Sequence, residues 1–322
     1  MNFTVPGNEL TLKEACELFG ALINRVKKKE GFIDWIHTTY CEGEECAKPV
    51  FVVDSINKLR EIADHIKTKI PEGSVRSEKI IWPSSGHDAD CGEKNTVHVD
   101  CFLYDDHALQ EMINAGKLKR RFCVDCGSRN IKDLNFISHS LAHCQLEFIF
   151  TQLVPLKSQA EGFNVLDIGS RLGAVIYAAS LYGCGKVTVT GVEQNEEFVK
   201  LQEEVIRDFS LQNVEVVCAD VRAQPDLVSK ADLIIMNNVF SFFMEAEEQA
   251  ACFEFIHQHA KKGCLLIHNP EIETVLAHLK LSFTADQWLE KIPTADDCEM
   301  FANGDKDVLS DCETLGFYRI RS

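Results

Sequence analysis

The stretch NVLDIGSRLG, residues 164–173, decides the fold of this chain. It is an apolar run of strand length with an acid near its end, followed by a turn with two glycines. Small residues in a helical pattern begin at Ala174. Gly169 and Gly173 let the backbone of the turn approach a ligand closely and let the helix pack near the strand. The stretch therefore predicts a strand, a ligand-binding turn and a helix, in that order.

Outward from this stretch, apolar runs of strand length alternate with helical patterns. Further strands are predicted at residues 186–193, 214–220, 232–237, 264–268 and 315–321, with a helix capped by Asn195 and another at residues 245–261. Strands that are buried on both faces and separated by amphipathic helices indicate a parallel sheet with helices on both sides. We therefore predict an α/β, Rossmann-like domain.

Polar side chains stand at the ends of the next three predicted strands. The second strand ends in Glu193, the third in Asp220, and the fourth in Asn237 and Asn238. Ligands of open α/β sheets bind at the carboxyl ends of the strands, where an acid can take two ribose hydroxyls. An aspartate at the third strand can accept a hydrogen bond from an adenine amino group. These strand ends predict a nucleoside-containing ligand.

This order of features resembles the class I S-adenosylmethionine-dependent methyltransferases, over roughly residues 136–322. The resemblance implies a seven-stranded sheet, S-adenosyl-L-methionine as the cofactor, and methyl transfer as the activity. On that resemblance, the methionine part lies near the glycine turn, the ribose at Glu193 and the adenine at Asp220 with Val221. The implied cofactor-binding residues are Asp167, Gly169, Ser170, Gly173, Glu193, Asp220, Val221 and Asn237.

One residue departs from the family pattern, and three other interpretations of the turn exist. The family usually has a third glycine where this chain has Arg171. A dinucleotide-binding domain would need G-x-G-x-x-G, which residues 169–173 do not supply. The other two interpretations are an unrelated α/β protein with a glycine turn, and a methyltransferase fold that has lost its activity and serves as a scaffold.

Methyl transfer from a sulfonium depends mainly on positioning, because the donor is already activated. The segment after the fourth strand should face the methyl group, so we predict catalytic roles for Asn237, Asn238 and Phe240. This segment resembles that of the non-SET histone-lysine methyltransferases, which implies a nitrogen of a protein as the acceptor. Alternatively, the acceptor is RNA or a small molecule. In a purely structural interpretation, Asn238 caps a turn and the phenylalanines pack in the core.

The first 135 residues form a predicted cysteine-rich N-terminal domain of mixed α+β structure. The C-x-x-C pair Cys123 and Cys126 is typical of a structural zinc site, because two thiolates so spaced can hold one tetrahedral ion. We predict Cys41 and Cys46 as the other ligands. Alternatives are His98 with Cys101, then other nearby candidates, or ordinary thiols without metal; those candidates are His87, Cys91, His139, His143 and Cys144.

Local structure in the N-terminal region is less regular. Helices are predicted at residues 10–28, 56–69 and 137–153, a strand at residues 50–53, and a long loop at residues 71–95. The last helix leads directly into the first strand of the α/β domain. We therefore predict a domain boundary near residue 135, with the methyltransferase domain at residues 136–322.

Composition limits the compartment and the partners. The 322 residues include 50 acids and 33 Lys and Arg, for a net charge of −17. This charge repels phosphates of nucleic acid and membranes, and it favours a basic protein as the substrate. No apolar run is long enough to cross a bilayer, and no secretory signal is recognisable. With 14 cysteines and no such signal, the thiols are expected to be reduced, in the cytoplasm or nucleus.

Overall fold

The computed structural model describes residues 22–23, 25–32, 48–71, 73–84, 86, 88–124 and 131–321. The chain divides into two compact units, residues 1–53 and 54–322. Most of the helix predicted at residues 10–28 lies outside the described residues. A helix, Val50–Lys69 (α1), replaces the strand predicted at residues 50–53, which was wrong. The apolar run there continues into the helical pattern without a turn residue, so the two form one helix.

A seven-stranded sheet forms the centre of the second unit, in the order β10-β11-β9-β8-β5-β6-β7. The strands are β5 (Asn164–Ile168), β6 (Thr188–Glu193), β7 (Val214–Cys218), β8 (Leu233–Asn237), β9 (Leu265–Asn269), β10 (Leu289–Lys291) and β11 (Gly316–Ile320). Strands β5 to β9 are parallel, and β11 runs antiparallel to both of its neighbours. The predicted α/β, Rossmann-like fold is confirmed. The chain order of the strands reverses beside β5. The carboxyl end of β5 therefore lies at the crevice where such sheets bind ligands.

Further helices follow α1 along the described chain. They are α2 (Asp106–Asn114), α3 (His143–Phe148), α4 (Ala174–Tyr182), α5 (Glu196–Asp208), α6 (Pro225–Lys230), α7 (Ala246–His259), α8 (Ile272–Leu276), α9 (Ala285–Trp288), α10 (Ala295–Ala302) and α11 (Lys306–Glu313). Asn195 caps α5 as predicted, because its side chain accepts a hydrogen bond of 2.9 Å from the backbone of Glu197. None of the described helices is long and apolar enough to cross a bilayer.

Two short sheets lie N-terminal to the large one. Strand β1 (Thr96–His98) pairs in parallel with β4 (Asn135–Ile137), and β2 (Arg121–Cys123) pairs with β3 (Ile131–Asp133). Residues 54–135 thus belong to the same compact unit as the large sheet. The domain boundary at residue 135 stays a prediction.

The helix predicted at residues 137–153 is shorter than expected. It begins at His143 and is followed by a π-helical turn, Ile149–Leu153. The hydroxyl of Ser138 accepts hydrogen bonds from the backbones of Cys101 and Ser140, at 2.9 Å and 3.1 Å. These bonds give the backbone an alternative to the helix. The first residue of the predicted helix, Ile137, belongs to β4 instead.

The core lies on both faces of the large sheet. Leu166, Ile234 and Leu266 on neighbouring strands pack with Phe253 of α7 and Trp288 of α9, and all are at most 2% exposed. Burying such a side chain contributes about 1.5–3 kcal/mol. A rigid sheet of this kind fixes the loops at the carboxyl ends of its strands, and these loops carry the predicted site residues.

Candidate active site

The glycine turn after β5 lies against the segment that follows β8. Gly169 has φ 76°, and a Cβ atom there would lie 2.0 Å from Cγ2 of Val239. Only glycine fits this combination of conformation and close approach. The turn therefore brings β5 and β8 ends together, as the sequence pattern predicted.

Replacing Gly169 with alanine is expected to disrupt the turn and to weaken cofactor binding by more than about tenfold, a loss of roughly 1.4 kcal/mol or more. The matched control is Gly162→Ala, because Gly162 has a similar φ of 81° but open space around its Cα. That control carries only the conformational cost of a positive φ. Calorimetric titration with S-adenosylhomocysteine (SAH) measures both variants. Equal affinities would contradict the steric argument.

Glu193 is held in a fixed orientation at the end of β6. Its Oε1 accepts a hydrogen bond of 2.8 Å from the backbone of Asn195, and its Oε2 accepts one of 2.9 Å from the backbone of Arg171. Burial raises the pKa of this carboxyl, although these hydrogen bonds oppose the shift. Each carboxylate oxygen keeps a lone pair with which it can accept a hydrogen bond from a hydroxyl group.

Asp220, at the start of a short turn after β7, is paired with Arg222. The guanidinium donates to both carboxylate oxygens, at distances of 2.6–3.0 Å, and this pairing lowers the pKa of Asp220. The carboxylate also accepts a hydrogen bond from the backbone of Arg222, and the adjacent Val221 is buried. A ligand amino group at this position would share Asp220 with Arg222.

Asp167 is a buried carboxyl without a cationic partner. It is 3% exposed, and no side chain or backbone group of the described residues donates a hydrogen bond to its carboxyl. Burial, followed by the negative charge of Glu193, raises the pKa of Asp167 to about 8. Such an acid suits a ligand that brings its own positive charge.

The end of β8 carries two asparagines with unsatisfied amide atoms. Oδ1 of Asn237 accepts a hydrogen bond of 2.8 Å from Asn269, but its Nδ2 is buried without a partner in the described part of the chain. Asn238 has φ 45°, and its Oδ1 is likewise buried and unpartnered there. Because buried polar atoms are normally paired, these two atoms mark a place for a polar ligand.

The side chains of Phe240 and Ser170 pack against Phe253 and Gly191, respectively. Phe240 is 4% exposed and packs edge-on against Phe253 in the core. Ser170 packs against Gly191 of β6, since a Cβ at that glycine would lie 2.8 Å from the serine Oγ. The structure thus brings Asp167, Gly169 and the two asparagines together, without Phe240 on the face that they share.

Arg171, which replaces the expected glycine, turns its guanidinium toward residues 73–100. It is 8% exposed, with Nε 2.7 Å from Oε1 of Glu78 and Nη1 2.8 Å from Oδ2 of Asp100. Nη2 donates to the carbonyl of Gly73 at 2.8 Å. The backbone adopts φ 45°, the left-handed conformation that favours glycine. Two buried carboxylates therefore hold a residue that the turn alone would disfavour.

A segment within the predicted long loop crosses the carboxyl ends of four strands. We call its described residues, 77–84, 86 and 88, the strap. Near β6, Ser77 accepts a hydrogen bond of 2.9 Å from Asn195, and near β5, Glu78 pairs with Arg171. After β8, the backbone of Ile81 donates to that of Phe242 at 2.7 Å, and Asp88 lies 3.5 Å from Asn238. After β9, Gly86 lies near His278. The strap thus forms part of the wall of the ligand-binding edge.

Residues 159–307 match the family model described as a methyltransferase domain. This segment is a methyltransferase domain. The order and directions of its strands and the glycine turn after β5 agree with that assignment. The resemblance to the class I S-adenosylmethionine-dependent methyltransferases, and with it the predicted enzyme class, is confirmed.

Solved structures of methyltransferases match parts of the chain. An O-methyltransferase from Thermotoga maritima is 18% identical, with a TM-score of 0.34, covering 43% of this chain and 48% of that one. A putative sarcosine dimethylglycine methyltransferase from Galdieria sulphuraria is 15% identical, with a TM-score of 0.35, and the match covers 54% of this chain and 82% of that one. The plantazolicin methyltransferase BpumL, in complex with SAH, is 13% identical, with a TM-score of 0.37, and the match covers 56% of this chain and 83% of that one. No curated protein sequence matches the chain.

The residues at the edge of the methyltransferase domain fit S-adenosylmethionine. The unpartnered carboxyl of Asp167 suits the ammonium of the methionine part, and the free Nδ2 of Asn237 suits its carboxylate. Glu193, with both oxygens oriented by backbone groups, suits the ribose hydroxyls. The donor and acceptor set therefore agrees with the cofactor class of the family.

The predicted zinc ligands are only partly visible. Cys123 is exposed on β2, whereas Cys41, Cys46 and Cys126 lie outside the described residues. Among the described residues, the group of three side chains that could hold a metal is His65, Glu204 and Asp208, where Lys69 already pairs with Glu204 at 2.6 Å. The zinc site stays a prediction.

The sequence patterns do not predict the contribution of residues 73–100 to the site. Glu78 and Asp100 lie far in sequence from Arg171, within a region that lacks helical or strand periodicity. Arg171 itself is the one local indication, because an arginine at a glycine position of a buried turn needs acidic partners nearby. Nothing local identifies which acids these are.

Proposed function

We propose that the chain transfers the methyl group of S-adenosyl-L-methionine to a nitrogen of a cationic protein side chain. The observation that supports the acceptor class is an acidic cavity of about 320 Å³. Its lining includes Asp88, whose Oδ2 lies 3.5 Å from Nδ2 of Asn238 at the end of β8. The strap, the segment after β8 and the segment after β9 line this cavity.

The lining of the cavity suits a side chain with an apolar stem and a positive end. Trp82, Met244 and Leu279 supply apolar surface, and the described lining residues include the acids Asp88, Glu245 and Glu247 but no lysine or arginine. The volume lies at the low end of the range for ligand pockets, which favours one inserted side chain over a larger group. A phosphate would be repelled by these acids, as it would by the net charge of −17.

The chain's own residues orient the acceptor and keep water away. When bound, the cofactor supplies an electrophilic methyl group. The free Oδ1 of Asn238 can accept a hydrogen bond from an acceptor N–H, which directs the nitrogen lone pair. Asp88, 3.5 Å from Nδ2 of Asn238, stabilises positive charge beside it. These interactions act by positioning, which is the main requirement of this reaction.

The test combines labelled cofactor with three acceptor pools: basic proteins, protein-free RNA and small amines. We expect label in protein. The variant Asn238→Gly keeps the backbone conformation but removes the amide, and should reduce transfer by about tenfold or more while SAH binding is retained. The matched control is Asn303→Gly, since Asn303 also has a positive φ of 46° but is exposed at the end of α10.

Other outcomes select the alternatives. Label in RNA would overturn the proposed acceptor, and label in small amines alone would make the chain a small-molecule methyltransferase. SAH binding without any transfer would favour the scaffold.

We also propose a structural zinc ion held by Cys123 and Cys126. The C-x-x-C spacing supports it. Elemental analysis of purified protein should give one zinc per chain and a lower content in a Cys123→Ser variant. A full zinc content in that variant would contradict this ligand set. A cytoplasmic or nuclear location for the protein remains a proposal, for which localisation of the tagged full chain is the test.

A further inference from the structure

Two histidines contact each other beneath the strap. Nδ1 of His98 lies 2.8 Å from Nε2 of His139, and the rings stack with their centroids 4.9 Å apart. The outer nitrogens, Nε2 of His98 and Nδ1 of His139, are buried and have no hydrogen-bond partner among the described residues. His139 is 7% exposed. The His98–His139 pair therefore has hydrogen-bonding capacity that the described residues leave unused.

The pair contacts aromatic residues of the strap and of the segment after β8. Aromatic rings enclose it: Trp82 of the strap with its centroid 5.5 Å from His98, Phe242 at 5.4–5.5 Å from both rings, and Phe243 at 4.9 Å from His139. Trp82 also lines the acidic cavity. Phe242 and Phe243 belong to the segment that begins with the asparagines of β8. The pair thus contacts Trp82, which lines the cavity, and two phenylalanines of the segment that carries Asn238.

A purely structural role explains this arrangement poorly. Each buried polar atom without a partner costs about 1–3 kcal/mol, whereas apolar side chains in the same aromatic surroundings would have no such cost. Unsatisfied polar atoms of this kind in a native fold call for a functional explanation.

The hydrogen-bond chemistry of the pair defines what it can do. Two neutral imidazoles that share one N–H···N bond have one hydrogen left, which resides on one outer nitrogen. The other outer nitrogen is then a bare acceptor. If that nitrogen accepts a proton, the shared hydrogen can shift across the pair, and the opposite outer nitrogen can release its own hydrogen. The pair can therefore pass on a proton without retaining a charge.

We infer that the His98–His139 pair accepts the proton that the methyl acceptor must lose. This inference rests on the proposed function, because a protonated amine has no lone pair to attack a methyl group. The N–H bond of the acceptor breaks as an N–H bond forms at the bare ring nitrogen. The freed lone pair forms the N–C bond while the C–S bond breaks. The opposite outer nitrogen releases a proton to water when the product leaves.

The charges around the pair favour neutral imidazoles, which can pass a proton on without remaining protonated. The charged groups that act on it are Arg171 of the glycine turn, on both rings, and Glu78 of the strap, on His98. Arg171 is itself paired with Glu78 and Asp100. Burial, followed by the positive charge of Arg171, lowers the pKa of both His98 and His139. The imidazoles are therefore neutral at pH 7 and able to accept.

The test measures single-turnover methyl transfer from about pH 6 to pH 10, with SAH affinity as a check on the cofactor site. His98→Gln and His139→Gln should each lower the rate at pH 7 by about 100-fold, the size typical of a lost general base. The loss should shrink as the pH rises, because the acceptor then loses its proton to solvent. Added imidazole should restore part of the rate at pH 7. The matched control is His143→Gln, a half-buried histidine that stacks on Phe102.

The outcomes separate this inference from the proposed function. A wild-type chain that binds SAH but methylates no acceptor would overturn both. Transfer by wild type with unchanged rates in both variants would overturn the inference alone. So would an equal fractional loss at every pH without rescue by imidazole, because that result indicates a structural role.

Discussion

Replacing Arg171 with alanine is expected to lower the free energy of unfolding by about 3–5 kcal/mol and to abolish measurable SAH binding. The guanidinium is the cation between Glu78 and Asp100, whose side chains are 7% and 3% exposed. Without it, two carboxyls remain buried, and burial disfavours their charged form. The backbone of Arg171 also donates to Glu193, so a disturbed turn would release the proposed ribose acid.

The matched control is Arg121→Ala, because Arg121 pairs with Asp133 at a similar distance of 2.8 Å but with 60% and 69% exposure. An exposed pair of this kind contributes about 0–1 kcal/mol. Urea unfolding measures both variants. A milder variant, Glu78→Gln, keeps a hydrogen-bond acceptor and should remain folded for SAH titration. Equal unfolding free energies for Arg171→Ala and Arg121→Ala would contradict the proposed role of the buried cluster.

This cluster also explains which parts of the site the sequence could predict. Residues 164–173 and the strand ends at Glu193, Asp220 and Asn237 follow from local patterns, because strands of a parallel sheet are long apolar runs with fixed polar ends. Their shared location follows from the parallel direction of the strands, which needs no knowledge of distant contacts.

The strap depends on distant contacts instead. Its residues have no hydrophobic period, so only a partner across the fold determines their path. The strand β10 has three residues, too few for a pattern. Phe240 shows a different dependence: its position after β8 predicts a role at the methyl group, whereas its burial against Phe253 depends on the packed core. The predicted role stays a prediction.

Asp167→Asn is the second variant with a large expected effect: it should weaken SAH binding by at least about tenfold near pH 8.5. SAH carries an ammonium group, and the ionised Asp167 is the anion proposed to hold it. The pKa of this carboxyl is about 8, so wild type holds the anion mainly above that pH. Below it, wild-type affinity should fall by up to about tenfold per pH unit, since binding must then remove a proton. The variant should show no such dependence, and the two affinities should converge near pH 6.

The stability of the unliganded protein should change in the opposite direction. Because the pKa of Asp167 is raised in the folded state, folding favours its protonated form. That contribution is full below the unfolded pKa of about 4 and is lost as the pH rises through about 8. Asp167→Asn keeps a neutral side chain at every pH, so its melting temperature should exceed that of wild type most clearly above pH 8.

Calorimetric titration with SAH and thermal unfolding, both across pH 6–9, test these two effects together. The control is Asp232→Asn, at the opposite end of β8 from the asparagines, where the carboxyl pairs with Lys261 and has a lowered pKa. That control should lose stability, since its charge is paired, without a change in SAH affinity. If wild-type affinity does not vary between pH 6 and pH 9, Asp167 does not bind the ammonium. If instead the affinity of Asp167→Asn varies with pH as wild type does, another acid carries the dependence, and Glu193, whose negative charge raises the pKa of Asp167, becomes the residue to replace next.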